Sequence, residues 1–147
     1  MKIHEQEMDS ELFDNIENLK PVVQAGTSDS AALDNVFELL NISGQPAPLA
    51  KLMLVPDAWS KKSKVLSKDH QQLFNFLNST MEPWDGPAAI AGTDNEWVIA
   101  ANDRNGLRPL RYTITKDNFL FAGSETGMIK LNEKKIVAKG RLGPGEI

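Results

Sequence analysis

The hydrophobic period of this chain changes once, near Trp84, and that change bounds the folds open to it. Before it, apolar residues recur at the three- and four-residue spacing of helices; after it they alternate as in half-buried strands. Residues 28–42 predict the strongest helix. Thr27 or Ser28 can cap its start, Asp29 suits the positive end of its dipole, and Leu33, Val36, Phe37 and Leu40 form a stripe. Residues 10–19 predict an amphipathic helix carrying Leu12, Phe13, Ile16 and Leu19, capped by Ser10 and ended at Lys20-Pro21. Another runs from Ala47 or Pro48 to Val55, where Pro56 breaks it. Residues 56–67, rich in lysine and serine, read as an exposed loop, and 68–81 as a third helix with Leu73, Phe74, Leu77 and Met81 inward. Strands are then expected at 88–92, 97–101, 110–115 and 119–122, with further strands at 135–139 and 145–147. Helices first and a meander second make an α+β protein.

Within the strand-forming half, residues 102–112 (N-D-R-N-G-L-R-P-L-R-Y) stand out. Asn105-Gly106 is a strong turn signal, because both residues tolerate positive φ, and Pro109 keeps Arg108 extended. Read on its own, this is a hairpin turn whose charges, Asp103, Arg104 and Arg108, are solvated.

The stretch does not stand alone. With M-E-P-W-D-G-P-A-A-I before it, G-S-E-T-G after it, G-T-S-D-S-A-A-L-D-N at 26–35 and K-G-R-L-G-P-G-E-I at 139–147, it resembles the glutamine amidotransferase domain of glutamate synthases. That domain is a class II, N-terminal-nucleophile amidotransferase. The blocks occur in family order from roughly residue 19 onward. The resemblance implies part of an αββα sandwich, N-terminal helices followed by an antiparallel meander, with residues 1–147 forming a partial domain. Amidophosphoribosyltransferases and asparagine synthetases share the R-D-x-x-G-x-x-P and S-E elements, but P-W-D-G-P and S-D-S-A-A-L-D-N favour glutamate synthase. A different reading is a free-standing degenerate module that binds an amino acid or a protein partner without catalysis.

Composition narrows the chemistry. Hydrophobic content of 41% and charged content of 24% are ordinary for a soluble globular protein. The net charge of −4 and dispersed lysines and arginines give no stripe for nucleic acid and no polybasic membrane patch. No apolar run approaches a membrane span, and the polar start is no signal peptide, so the expected location is cytoplasmic. There is no cysteine, which removes disulfides, thiolate metal sites and a cysteine nucleophile from these residues. His4 and His70 sit in polar stretches and identify no metal site. Trp59, Trp84 and Trp97 read as core or rim residues, Trp84 within a structural W-D-G turn.

From the residues alone, Asp29 reads as a helix cap or dipole partner. The resemblance implies more: the aspartate of S-D-S binds the α-ammonium of glutamine, with Ser28 and Gly26 shaping the pocket. Asn105-Gly106 has the donors of an oxyanion hole, but the family's oxyanion motif is H-N-G-E-I-N-T, which this chain lacks. Asp103, Arg104, Asn105, Gly106 and Arg108 are therefore read as pocket-supporting. Ser124 and Glu125 match the family's S-E, and Arg104 and Arg108 are expected to pair with Asp103 or Glu125. In the family, an N-terminal cysteine attacks the glutamine carboxamide and ammonia passes to a synthase domain using 2-oxoglutarate, FMN and an iron–sulfur cluster. The nucleophile and oxyanion segment are expected before Met1 and the synthase domain after Ile147, so no catalytic residue is assigned here. The isolated chain is expected to be inactive, holding part of a glutamine site and needing the rest of the parent as partner.

Overall fold

The structure, a computed structural model, describes residues 13–58 and 67–147. Three helices come first: α1 (Asp29–Ile42), α2 (Ala47–Leu54) and α3 (Lys68–Thr80). Five strands follow: β1 (Ala89–Thr93), β2 (Val98–Asn102), β3 (Arg111–Thr115), β4 (Leu120–Gly123) and β5 (Ile136–Arg141). The α+β class expected from the pattern is what the chain forms.

The centre of the helical half is α2, which packs against α1, α3 and β2. Its sequence, A-P-L-A-K-L-M-L, is apolar nearly all round, the signature of a helix without a solvent face. Ala47, Ala50 and Leu54 are wholly buried. Leu54 and Val55 join Val22, Leu33, Val36 and Leu39 in the core, with Phe37, Met81, Trp84 and Ile90 packed around them. The buried stripe of α1 runs through Ala32, Leu33, Val36 and Leu39, while Phe37 and Leu40 lie half-buried at its edge. On α3, Phe74 and Leu77 point inward and Leu73 is 37% exposed.

Pro46 offers α2 no side-chain cap, so an orphan N–H must be met from elsewhere. It is met by Asp94, in the β1–β2 turn, whose Oδ2 accepts the Ala47 N–H at 2.6 Å. Its Oδ1 accepts the N–H groups of Glu96 and Trp97 (3.0 and 2.7 Å), so one carboxylate fixes both turn and helix start. The Ala47 bond above all, with those to Trp97 and Glu96, holds the Asp94 carboxyl below its ordinary value against an opposing desolvation effect. A carboxyl depressed by folding stabilises above its unfolded pKa, and that contribution is lost as pH falls through the folded one. Asp94→Ala is therefore expected to melt lower than wild type at pH 7, with the gap closing in acid. Thermal melts followed by circular dichroism at pH 7 and pH 3 check both arms.

The strands do not form one continuous meander. β1 and β2 pair antiparallel as a two-stranded sheet, and β3 lies between β4 and β5 in a second, antiparallel sheet. β2 and β3 are not paired, so the Asn105-Gly106 turn does not close a hairpin. It carries the chain from one sheet to the other.

Other expectations need correction. Residues 145–147 are not a strand; Gly145 lies in a turn whose carbonyl and N–H are both bonded inward. Of the helix expected at 10–19, residues 10–12, with Ser10 and Leu12, lie outside the described residues. The described part is a 3-10 turn, Ile16–Leu19, because Asn15 starts it by accepting the Glu17 N–H and Lys20-Pro21 follows at once. The exposed loop expected at 56–67 begins with a buried Pro56, and residues 59–66, Trp59 among them, lie outside the described set, as does His4. His70 is exposed in the first turn of α3, Trp97 is 52% exposed, and Trp84 packs on the core. Among the described residues, no helix is long and apolar enough to cross a membrane.

Candidate functional site

The passage between the sheets is built around one carboxylate. Asp103 follows the last residue of β2 and is 1% exposed. Its Oδ1 accepts the N–H groups of Asn105 and Leu107 (3.1 and 2.9 Å), and its Oδ2 those of Arg108 and Ala88 (3.0 and 3.2 Å). Its backbone N–H donates to the Ala88 carbonyl, and its own carbonyl accepts from Gly106 (3.2 Å) and Gly145 (2.7 Å). Desolvation pushes the carboxyl up, but the N–H groups of Arg108, Leu107, Ala88 and Asn105 together outweigh it and hold the pKa below its ordinary value. Asp103 is thus not a solvated turn charge. Local N–H groups that would otherwise extend a ladder are captured by a side chain.

The neighbouring residues extend this arrangement. Gly106 has φ +63, and a Cβ there would meet Pro144 at 3.1 Å, so the turn and the C-terminal segment lie in contact. The Asn105 side-chain amide donates to Asp85 Oδ1 at 3.3 Å, and the Arg104 guanidinium faces Asp85 Oδ2 at 3.9 Å. The W-D-G turn therefore docks on the R-N-G turn, and the Trp84 N–H ties it to the Leu54 carbonyl at the end of α2 (2.7 Å). Arg104 also accepts, through its carbonyl, the Ala58 N–H at 3.2 Å.

The expected pairing of Arg104 and Arg108 with Asp103 or Glu125 does not occur. Asp103 is saturated by backbone donors, Arg104 turns to Asp85, and the Arg108 side chain is exposed. Ser124 follows β4, and Glu125 lines a cleft of about 640 Å³ with Arg111, Phe121, Met128 and Arg141. Asp103, Arg104, Asn105, Gly106 and Arg108 are brought together; Ser124 and Glu125 make no hydrogen bond or ion pair with them among the described residues.

Gly26, Ser28 and Asp29 form a separate, exposed corner at the start of α1. Ser28 is the cap: its Oγ accepts the Ala31 N–H (3.3 Å) and lies 3.1 Å from Ser30 Oγ. Asp29 is therefore spared the capping role that the residues alone suggested. Its carboxylate accepts no hydrogen bond among the described residues, and it sits in the first turn, at the positive end of the helix dipole.

Sequence reasoning missed Lys51. It is 1% exposed in the middle of α2 and donates from Nζ to the Gly145 carbonyl at 2.6 Å. A single charge in an otherwise apolar eight-residue helix was the available signal. Among the described residues no group of three or more His, Cys, Asp or Glu side chains is placed to hold a metal, and the chain has no cysteine for an iron–sulfur cluster.

A helix layer against a strand hairpin and a second antiparallel sheet make an α+β arrangement that carries the S-D-S helix start and the Asp103 turn. The chain matches the family described as Glutamine amidotransferases class-II over residues 1–147, and it belongs to that family. It is 51% identical over 148 residues to the glutamate synthase (NADPH) large chain of Azospirillum brasilense, covering 100% of this chain and 10% of that one. The glutamate synthase (NADPH) large chain of Bacillus subtilis is 38% identical, with the same coverages. The glutamate synthase (NADH) of Saccharomyces cerevisiae is 43% identical over 149 residues, covering 100% of this chain and 7% of that one. The chain thus spans about a tenth, or less, of the length of these relatives.

Proposed function

We propose that this chain is a partial glutamine amidotransferase domain of a cytoplasmic glutamate synthase and supplies one side of the glutamine site. The observation that carries the reading is the state of Asp29. Ser28 has taken the capping bond, so the Asp29 carboxylate is exposed, unbonded among the described residues and held on a rigid helix start. A fixed anion of this kind is what the α-ammonium of an amino acid needs. Gly26 and Ser28 shape the approach to it, and the Asp103 turn, with Arg104, Asn105, Gly106 and Arg108, supports the fold behind the site. Ser124 follows β4, and Glu125 stands on the wall of the cleft that Arg111, Phe121, Met128 and Arg141 also line.

These residues bind and position; with no cysteine among them, they do not supply the thiolate that attacks the carboxamide. The nucleophile and oxyanion donors come from the remaining part of the amidotransferase domain. The synthase domain of the parent takes the ammonia, with 2-oxoglutarate, FMN and an iron–sulfur cluster, and no step through those groups involves this chain.

The test is Asp29→Asn in the intact enzyme that carries this segment. Loss of a charge-paired contact is worth about 2–5 kcal/mol, so kcat/KM for ammonia release from glutamine is expected to fall roughly 30- to 5000-fold. Thermal stability should hardly change, because the side chain is exposed. Unchanged kcat/KM would remove Asp29 from the site.

A further inference from the structure

The turn at 143–146 is held from two directions. From the strand side, the Asn102 N–H donates to the Glu146 carbonyl (2.9 Å), the Asn102 side-chain amide to the Leu142 carbonyl (3.2 Å), and the Gly145 N–H to the Asp103 carbonyl (2.7 Å). From the helix side the hydrogen bond is that of the Lys51 ammonium to the Gly145 carbonyl, at 2.6 Å. Gly145 is pressed so closely to the segment after α2 that a Cβ would stand 2.5 Å from Asp57 Cα. Both polar groups of one residue are therefore occupied: its carbonyl by a buried cation, its N–H by the residue at the centre of the Asp103 turn.

We propose that Lys51 is a positioning residue for the Asp103 turn: as an ammonium it clamps Gly145 against that turn, and as a neutral amine it releases it. The charged groups around it are few. Asp57, just beyond α2, and Asp103 attract the ammonium; Asp34 of α1 lines a small cavity that Lys51 also borders. Glu146 and Arg104 act on Asp57 in opposite senses. Desolvation pulls the Lys51 ammonium down to about 8, against the attraction of Asp57 and Asp103.

The sign separates this clamp from general stability. A lysine whose folded pKa of about 8 lies below its ordinary value of 10.5 leaves the folded state with fewer bound protons between pH 7 and 9.5. Its ionisation therefore makes the whole fold gain stability as pH rises there. The clamp works the other way because Lys51, set in the middle of α2, stays buried when the turn lifts: the released state holds the ammonium less well still, and a charged donor bonds roughly twice as strongly as a neutral one. Local release with global strengthening is a combination that mere packing by Lys51 would not produce.

Hydrogen exchange read by mass spectrometry on the intact protein tests this, following peptides that cover 142–147 and correcting for intrinsic rates. Between pH 7 and 9.5 protection there is expected to drop about tenfold, corresponding to about 1.4 kcal/mol. Lys51→Met should show the low protection at both pH values. Asp57→Asn, which removes a charge that favours the ammonium, should move the transition to lower pH. Protection that ignores pH in wild type, a step that survives in Lys51→Met, or an unmoved midpoint in Asp57→Asn would each overturn the proposal.

Discussion

Asp103→Ala is expected to destabilise the fold by about 3–5 kcal/mol, since it leaves four backbone donors and the connection between two sheets without their acceptor. Hydrogen bonds to a charged group contribute about 1.5–3 kcal/mol each, and four sharing one carboxylate do not add fully. Leu107 and Arg108 are exposed, so their N–H groups regain water, while Ala88 and Asn105 are held by the turns around them. Asp103→Asn keeps the shape but sets an amide N–H against N–H donors, and its expected loss is about 2 kcal/mol. The pH dependence supplies a second reading. Because the folded carboxyl lies below its ordinary value, its contribution is complete above the unfolded pKa of about 3.9 and is lost as pH falls through the folded one. Urea unfolding of wild type and both variants at pH 7 and pH 3 should show gaps that shrink in acid. A loss below about 1 kcal/mol for the alanine variant would mean that water replaces the carboxylate at all four donors.

The second large effect is expected at Gly145→Ala. Its φ of +66 is costly for any residue with a Cβ, about 1–2 kcal/mol. The added methyl also meets backbone: Asp57 Cα at 2.5 Å and Asp57 N at 2.8 Å. Backbone beside a buried proline and the end of α2 cannot step aside as a flexible side chain would. Overpacking adds about 1–3 kcal/mol, giving a total of about 2–5 kcal/mol in denaturant unfolding. By comparison, Gly127 also has positive φ (+83) but faces open space, so Gly127→Ala carries only the conformational part. A Gly145→Ala loss no larger than that of Gly127→Ala would show that the C-terminal turn is not seated on the Asp57 segment.

The extent to which sequence foretold this structure depended on how far apart the partners lie. α1 was legible because its cap, its first-turn carboxylate and most of its apolar stripe sit within one window of fifteen residues. The strand positions were legible from alternation, but alternation names no pairing partner. L-R-Y-T-I-T therefore announced β3 without saying that β5, rather than β2, lies beside it. Asn105-Gly106 announced a turn. What it could not announce is that the turn closes on the Asp103 carboxylate, because one of that carboxylate's four donors, Ala88, lies fifteen residues upstream. Asp29 was visible as a candidate through its resemblance to S-D-S, whereas its freedom from capping became plain only with Ser28 in place. Lys51 was opaque for the same physical reason: the carbonyl that justifies burying its charge is 94 residues away.

That separation has a consequence for synthesis. A ribosome adding roughly 5–20 residues per second takes on the order of 5–20 s to travel from Lys51 to Gly145. Throughout that interval the nascent helical half carries a cation whose acceptor has not yet been made. Folding of the helical half therefore proceeds with an open seat at α2 until the turn at Gly145 has been translated.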